Sequence, residues 1–425
     1  MKKRLWWLLI GLATAGGTLF VVPGCMKGTI AKPTTHTYTY TLYTPVYQLK
    51  ASVLAAVNGN AATPIDSLGK IYIKDNFIFL NDVDKGIHVI DNSNPSHPVQ
   101  TAFLNIPGNQ DIAINGSTLY ADMYSDLLAI DISDIHHVQI QNMLPDLFTD
   151  RSYVNGYAMD SSQVIVSWIT KDTTVTVPVN AGGPPYVYDP GGIFFTAATP
   201  GASTAGKTGT AGSTAKMVLI NNYLYAISER HSLSAIDVSQ PSTPRLASSQ
   251  FAGYDLETIF PFEDKLFLGS DIGTFIFDLS NPALPTSVGN FTHGQACDPV
   301  VTDGNYAYIT LHAGTYCGGA SNELDVVNVK DLSNPVLVKT YPMTSPTGLS
   351  KDGNLLFVCD GSSEVKVFNA VDPGNLQLMS RLITTGPYDV IASNKLLIVV
   401  ATAGLYQYDY ANANSIRELS FFPLK

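Results

Sequence analysis

The stretch from Asp271 to Pro285, D-I-G-T-F-I-F-D-L-S-N-P-A-L-P, decides the fold. It opens on a tight Asp-Ile-Gly turn, runs through a short apolar strand that ends at Asp278, and leaves by a Ser-Asn-Pro turn closed with a second proline. A run this short between turn residues reads as a strand too brief to bury a face alone. Aspartate, asparagine and proline suit the exit because they bond their own backbone or fix φ.

Working outward, the phrase recurs. G-I-H-V-I-D-N-S-N-P-S-H-P occupies 86–98, L-L-A-I-D occupies 127–131, S-A-I-D-V-S-Q-P-S-T-P occupies 234–244, and D-V-V-N-V followed by K-D-L-S-N-P occupies 325–335. The closing residues are Asp91, Asp131, Asp237, Asp278, Asn328, Asn369 and Asp409, and in the regular part they fall 40 or 41 residues apart. That is the length of one four-stranded propeller blade. The interval from 278 to 328 is 50 residues, with its excess in the loop His312–Asn322, and the interval from 131 to 237 is 106. The long interval fits two units plus an insertion of about two dozen residues. Its extra unit is Y-A-M-D at 157–160, V-I-V-S-W-I-T at 164–170 and T-V-T-V-P-V at 174–179, and it lacks the closing Asp. Counting it gives an all-β propeller of eight blades, with seven as the alternative. The strand Tyr38–Val46 is expected to close the ring by completing the last blade beside Gly404–Tyr410 or the terminal S-F-F-P. The insertion, about 181–215, is rich in Gly, Pro, Ala, Ser and Thr and reads as an exposed loop. Within it G-A-S-T-A-G-K-T at 201–208 matches a phosphate-binding loop in letters only, because G-T-A-G-S-T follows where a helix would have to begin.

The N-terminus gives the address. Lys2, Lys3 and Arg4 precede an uncharged apolar run from Leu5 to Val22, and then V-P-G-C ends at Cys25. This is the layout of a signal peptide over 1–24, with a cysteine placed for lipidation, and residues 25–36 follow as a tether to a propeller over 37–425. The other reading is an uncleaved anchor, since about 18 apolar residues can span a bilayer. Both place the body outside the cytoplasm, the lipidated form in the cell envelope and on the outer membrane. The chain is 45% hydrophobic and 14% charged, with a formal charge of −11. Such a composition builds a large core and argues against binding nucleic acid through phosphates.

The recurring G-I-H-V-I-D-N-S-N-P, L-S-A-I-D-V-S-Q-P and L-D-V-V-N-V-K-D-L-S-N-P resemble LVIVD repeats, and with the V-P-G-C leader the chain is similar to the LVIVD-repeat lipoproteins of Bacteroidota. The resemblance implies a secreted or surface-anchored propeller and supplies no catalytic residues.

In a propeller the lead-in to each innermost strand and the turn joining the second and third strands share one mouth of the central channel. The lead-ins contribute Gln110 and Asp111, Asp255 and Glu257, Cys297 and Asp298, and Tyr388 and Asp389. The partner turns contribute Asp82, Asp84, Asp126, Glu229, His231, Asp271, His312 and Asp360. An acidic rim results, suited to a divalent cation or a cationic or hydroxylated ligand; aspartates that simply fill tight turns are the plainer reading. His293, Cys297, Asp298, His312 and Cys317 cluster on one blade. Outside the cytoplasm Cys297 and Cys317 suit a disulfide, with metal binding or free thiols as the alternatives. Cys359 reads as core, and His88, alternating with Ile87 and Val89, as outward or channel-lining. The expected function is a binding or interaction module for a protein or glycan. The alternatives are a polysaccharide hydrolase or lyase and a structural envelope component.

Overall fold

The computed structural model describes residues 35–178, 210–211, 215–294, 299–314, 319 and 321–423. The leader with Cys25, the candidate disulfide Cys297–Cys317, Asp298 and the 201–208 motif lie outside the described residues. Contacts divide the chain into two units, 1–42 with 170–187 and 43–169 with 188–425.

The smaller unit is seen in a threonine-rich ribbon. Its strands are parts of Thr35–Leu49 and Gln163–Pro178, which pair as a two-stranded sheet. Thr37 bonds Thr176 at 3.1 Å, Thr39 bonds Thr174 at 3.2 Å, and the Thr41 hydroxyl donates to Asp172 at 2.8 Å. Hydroxyl ladders of this kind are the side-chain counterpart of strand pairing.

The larger unit is a propeller. Among the described residues seven antiparallel sheets follow one another, spanning 68–105, 112–144, 217–251, 256–292, 300–342, 346–383 and 387–423. The first blade carries two extra strands. Asn58–Asn60 pairs with its outermost strand, and Thr210–Ala211 pairs with its innermost strand at Tyr72 and Ile73. The expected eight blades are therefore corrected to seven. The stretch counted as an eighth unit is divided between a hairpin, Tyr153–Val154 with Tyr157–Ala158, and the strand Gln163–Pro178, whose partner is Thr35–Leu49. The expected closure is corrected for the same reason, because the N-terminal strand is spent on that pairing and the last blade is built wholly from 387–423.

One bond identifies each blade. The closing Asp or Asn accepts the N–H two residues ahead, as from Asp91 to Ser93 at 2.8 Å, Asp131 to Ser133 at 2.8 Å and Asp237 to Ser239 at 2.8 Å. The same bond runs from Asp278 to Ser280 at 2.7 Å, Asn328 to Lys330 at 3.1 Å, Asn369 to Val371 at 3.0 Å and Asp409 to Ala411 at 2.9 Å. The residue after it returns its N–H to the turn joining the first two strands, from Asn92 to Asn76 at 2.7 Å through to Tyr410 and Lys395 at 3.0 Å. The missing closing Asp of the 157–179 stretch thus marks it as something other than a blade. Gly273 of the opening phrase has φ +157, and a Cβ there would lie 2.3 Å from the Phe291 carbonyl oxygen. The start of that third strand lies too close to its neighbour for a side chain.

The core lies between blades. Ile276, Phe260, Val301 and Tyr308 belong to one cluster reaching from the fourth blade into the fifth and sixth, and each fully buried aliphatic side chain contributes roughly 1.5–3 kcal/mol. The ring closes by the same packing. Ile71, Ile78 and Leu80 of the first blade meet Ile391, Ile398 and Val400 of the seventh. Beside them the amides of Asn92 and Gln407 exchange hydrogen bonds at 2.8 and 2.7 Å, and Ser420 donates to the Pro95 carbonyl at 2.6 Å.

Candidate functional site

Strand registers show which residues of the innermost strands occupy equivalent positions in the blades. Ile71 opposite Leu80, Ile112 opposite Ala121, Met217 opposite Ala226 and Val390 opposite Val399 align the innermost strands. The residue preceding each aligned position is Lys70, Asp111, Lys216 and Asp389 in the first, second, third and seventh blades. In the remaining blades it is Thr258, Pro299 and Gly348. Taken around the ring from the seventh blade to the third, the charges alternate: Asp389, Lys70, Asp111, Lys216. At this one position, then, two lysines stand among the carboxylates expected for the rim. The lysines escaped the sequence because each reads there as an ordinary polar neighbour of an apolar strand.

Asp111 is built into the frame. Its Oδ1 accepts the Ile112 N–H at 2.7 Å, and its Oδ2 accepts the N–H groups of Met217, at 3.0 Å, and Lys216. Burial pushes its carboxyl up to about 6, against the pull of Lys70 and of those N–H groups. Asp389 is fully buried, and its Oδ1 accepts the Val390 N–H at 2.8 Å.

Other predicted carboxylates are structural. Asp82 accepts from the N–H groups of Asp66 and Ser67 at 3.0 and 3.1 Å and meets His88 Nε2 at 3.2 Å. Burial alone would raise its carboxyl; the bonds from His88 and Asp66 hold it below the usual range. His88, expected to be outward or channel-lining, is fully buried inside the blade, with Gln100 at 2.6 Å on its other nitrogen. Asp360 repeats the arrangement in the sixth blade, accepting from Ser345 N–H at 2.8 Å and pairing with Lys366. Asp126, with no exposed surface, pairs with the buried Lys50 at 2.6 Å and accepts the Asp146 N–H at 3.0 Å. His312 Nδ1 lies 3.0 Å from Ser345 Oγ, and burial pulls its imidazole down. Cys359 is a free, buried thiol.

Asp255, Glu257 and Asp271 form a separate sector on the third and fourth blades. Asp255 adopts φ 47, pairs with Arg230 and accepts nothing from His231; its own N–H donates to His231 Nδ1 at 3.2 Å. Burial lifts the Glu257 carboxyl to about 7, with Lys216 opposing and Asp271 adding to the rise. Above them stands an aromatic group absent from the sequence expectation. Phe251 and Tyr254 pack edge to face at 5.1 Å, and His231 lies 5.5 Å from Tyr254. Phe251 and Tyr254 are nonetheless 62% and 58% exposed. The signal was F-A-G-Y-D at 251–255, one aromatic ending the last strand of the third blade and one in the lead-in to the fourth.

A cavity of about 540 Å³ opens beside the first blade, walled by Val53, Phe103, Tyr124 and Val166, with Asp82 and Asp84 among its polar lining. Lys85 bonds Asp66 at 2.7 Å there. Among the described residues no three His, Cys, Asp or Glu side chains come together as a metal site, and no helix is long and apolar enough to cross a membrane.

Comparison with known proteins bears on the repeats first. The LVIVD repeat matches residues 68–102, 211–250 and 293–343. The chain carries LVIVD repeats. Those three stretches fall on the first, third and fifth blades and their lead-ins. No curated protein matches the chain. Two solved structures share the LVIVD-repeat propeller's fold. The computationally designed Ika8 protein is 9% identical, with 84% of this chain and 88% of that one covered, at a TM-score of 0.51. Saccharomyces cerevisiae Sqt1 is 11% identical, with 85% and 88% covered, at 0.50. At these identities the likeness is one of fold alone.

Proposed function

We propose that this LVIVD-repeat chain is a lipid-anchored, extracytoplasmic binding module that presents the junction of its third and fourth blades to a protein partner. The observation that carries the reading is the exposed pair Phe251 and Tyr254, with His231 edge-on to Tyr254 and the Arg230–Asp255 ion pair at its border. Rings left in water beside an arginine are the composition of interface anchors, because covering them releases apolar surface while the polar border keeps register. A propeller supplies the rigid platform, since the loops carrying these residues spring from strands fixed by blade packing. Support for the anchor comes from the apolar leader ending in V-P-G-C, and support for the envelope address from the family the repeats resemble.

The test uses the purified chain as bait for envelope proteins, beside a Phe251→Ala/Tyr254→Ala variant. Both side chains are exposed, so the variant should melt within about 1 °C of wild type, surface changes being worth under about 0.5 kcal/mol. The expected outcome is a partner held by wild type and released at least tenfold faster by the variant. An identical set of bound proteins on both baits would overturn the reading.

A further inference from the structure

The charge row at the mouth contains one group whose chemistry is incomplete. Lys70 Nζ is buried and has no hydrogen-bond partner among the described residues. The two carboxylates beside it in the row are committed elsewhere: both oxygens of Asp111 receive backbone N–H groups, and Asp389 Oδ1 receives that of Val390. A buried ammonium left without an acceptor is costly, and folded chains almost always supply one.

We propose that the channel mouth binds a carboxylate-bearing ligand, whose anionic oxygen docks on the Lys70 ammonium. A carboxylate fits better than a phosphate because Asp389 and Asp111 flank the position. The two fixed carboxylates repel each negative charge the ligand brings, so a monoanion gains the ammonium at about half the repulsion that a dianion would meet. Lys216, on the far side of Asp111, adds a second positive charge to the row. Burial pulls the Lys70 ammonium down to about 8, with Asp111 opposing, Lys216 adding to the fall, and Asp389 and Asp122 opposing. Binding should therefore be proton-linked, because a carboxylate favours the charged amine that burial disfavours. The site stands on the innermost ring and not on the aromatic sector, so each can fail without the other.

The experiment follows thermal unfolding of the full chain in detergent with acetate, propionate, inorganic phosphate, and one short peptide with a free or an amidated C-terminus. At pH 7 acetate or propionate, or the free-acid peptide but not its amide, should raise the melting temperature in a saturable way. The first result assigns a small acid, the second a chain terminus. The apparent affinity should fall about tenfold per pH unit above pH 8 as the amine loses its proton. Lys70→Met should abolish the response and, without ligand, melt higher than wild type, because an unpartnered buried charge has been replaced by an apolar side chain of similar length. Phe251→Ala/Tyr254→Ala should keep the response. If Lys70→Met does not fold, the pH dependence of wild type decides the matter. Equal shifts in wild type and Lys70→Met, a response to phosphate as strong as to acetate, or no carboxylate response from wild type would overturn the proposal.

Discussion

At the scale of the residue, Asp278 defines what a blade is. Its carboxylate caps the Ser280 N–H at 2.7 Å and pairs with Lys265 at 2.9 Å. The bonds from Ser280, and then Lys265, hold its carboxyl down at about 2. Asp278→Ala should cost about 1 kcal/mol in urea unfolding at pH 7. Asp278→Asn should keep most of that stability, since Asn328 and Asn369 make the same bond in their blades. The sign with pH follows from the depressed value: the contribution is complete above the ordinary aspartate range and fades as pH falls through about 2. Wild type and Asp278→Ala should therefore converge in acid; equal stability at pH 7 would refute the role. This bond was legible because it joins residues two apart. Lys70 was not, because its neighbours Asp111 and Asp389 come from other blades and only the ring brings them together. His88 shows the same limit: alternation suggested an outward or channel-lining side chain, but blades packed side by side bury both faces of a strand.

At the scale of the element, the seam between the first and seventh blades matters most. Asn92 and Gln407 are 315 positions apart and exchange two amide bonds, both side chains being buried. Asn92→Ala should cost about 1–3 kcal/mol, because it strands the Gln407 amide out of water. Adding Gln407→Ala should cost much less than the sum of the two single changes. Urea unfolding of the four forms measures this, and simple additivity would show that the pair is not coupled. The sequence could not reveal the seam: Tyr38–Val46 had the composition of a closing strand, and its true partner, 163–178, had the composition of a blade. Each was a strand in search of an edge, and they found each other. Blade number was miscounted for that reason alone, while the spacing of the closing Asp and Asn residues gave the other seven units correctly.

At the scale of the whole molecule, the proposed anchor sets where the propeller can meet a partner. Cys25 should become the first residue of the mature chain and carry lipid. Mass spectrometry of the N-terminal peptide from membranes should find it beginning at Cys25 with a diacylglyceryl group, and a Cys25→Ser form should incorporate no labelled fatty acid. A mature wild-type chain that still begins at Met1 would contradict lipidation.

The closure of the ring has a consequence for how this architecture can vary. The joint between last and first blades uses aliphatic packing and a side-chain amide pair, with every blade complete from its own stretch of chain. No strand is lent across the gap, so packing and side-chain bonds alone hold that interface, whereas the chain itself crosses each of the other six. The chain is in effect a cyclic arrangement written out from an arbitrary starting blade, and circular permutants opened between other blades would be built from the same parts in the same order.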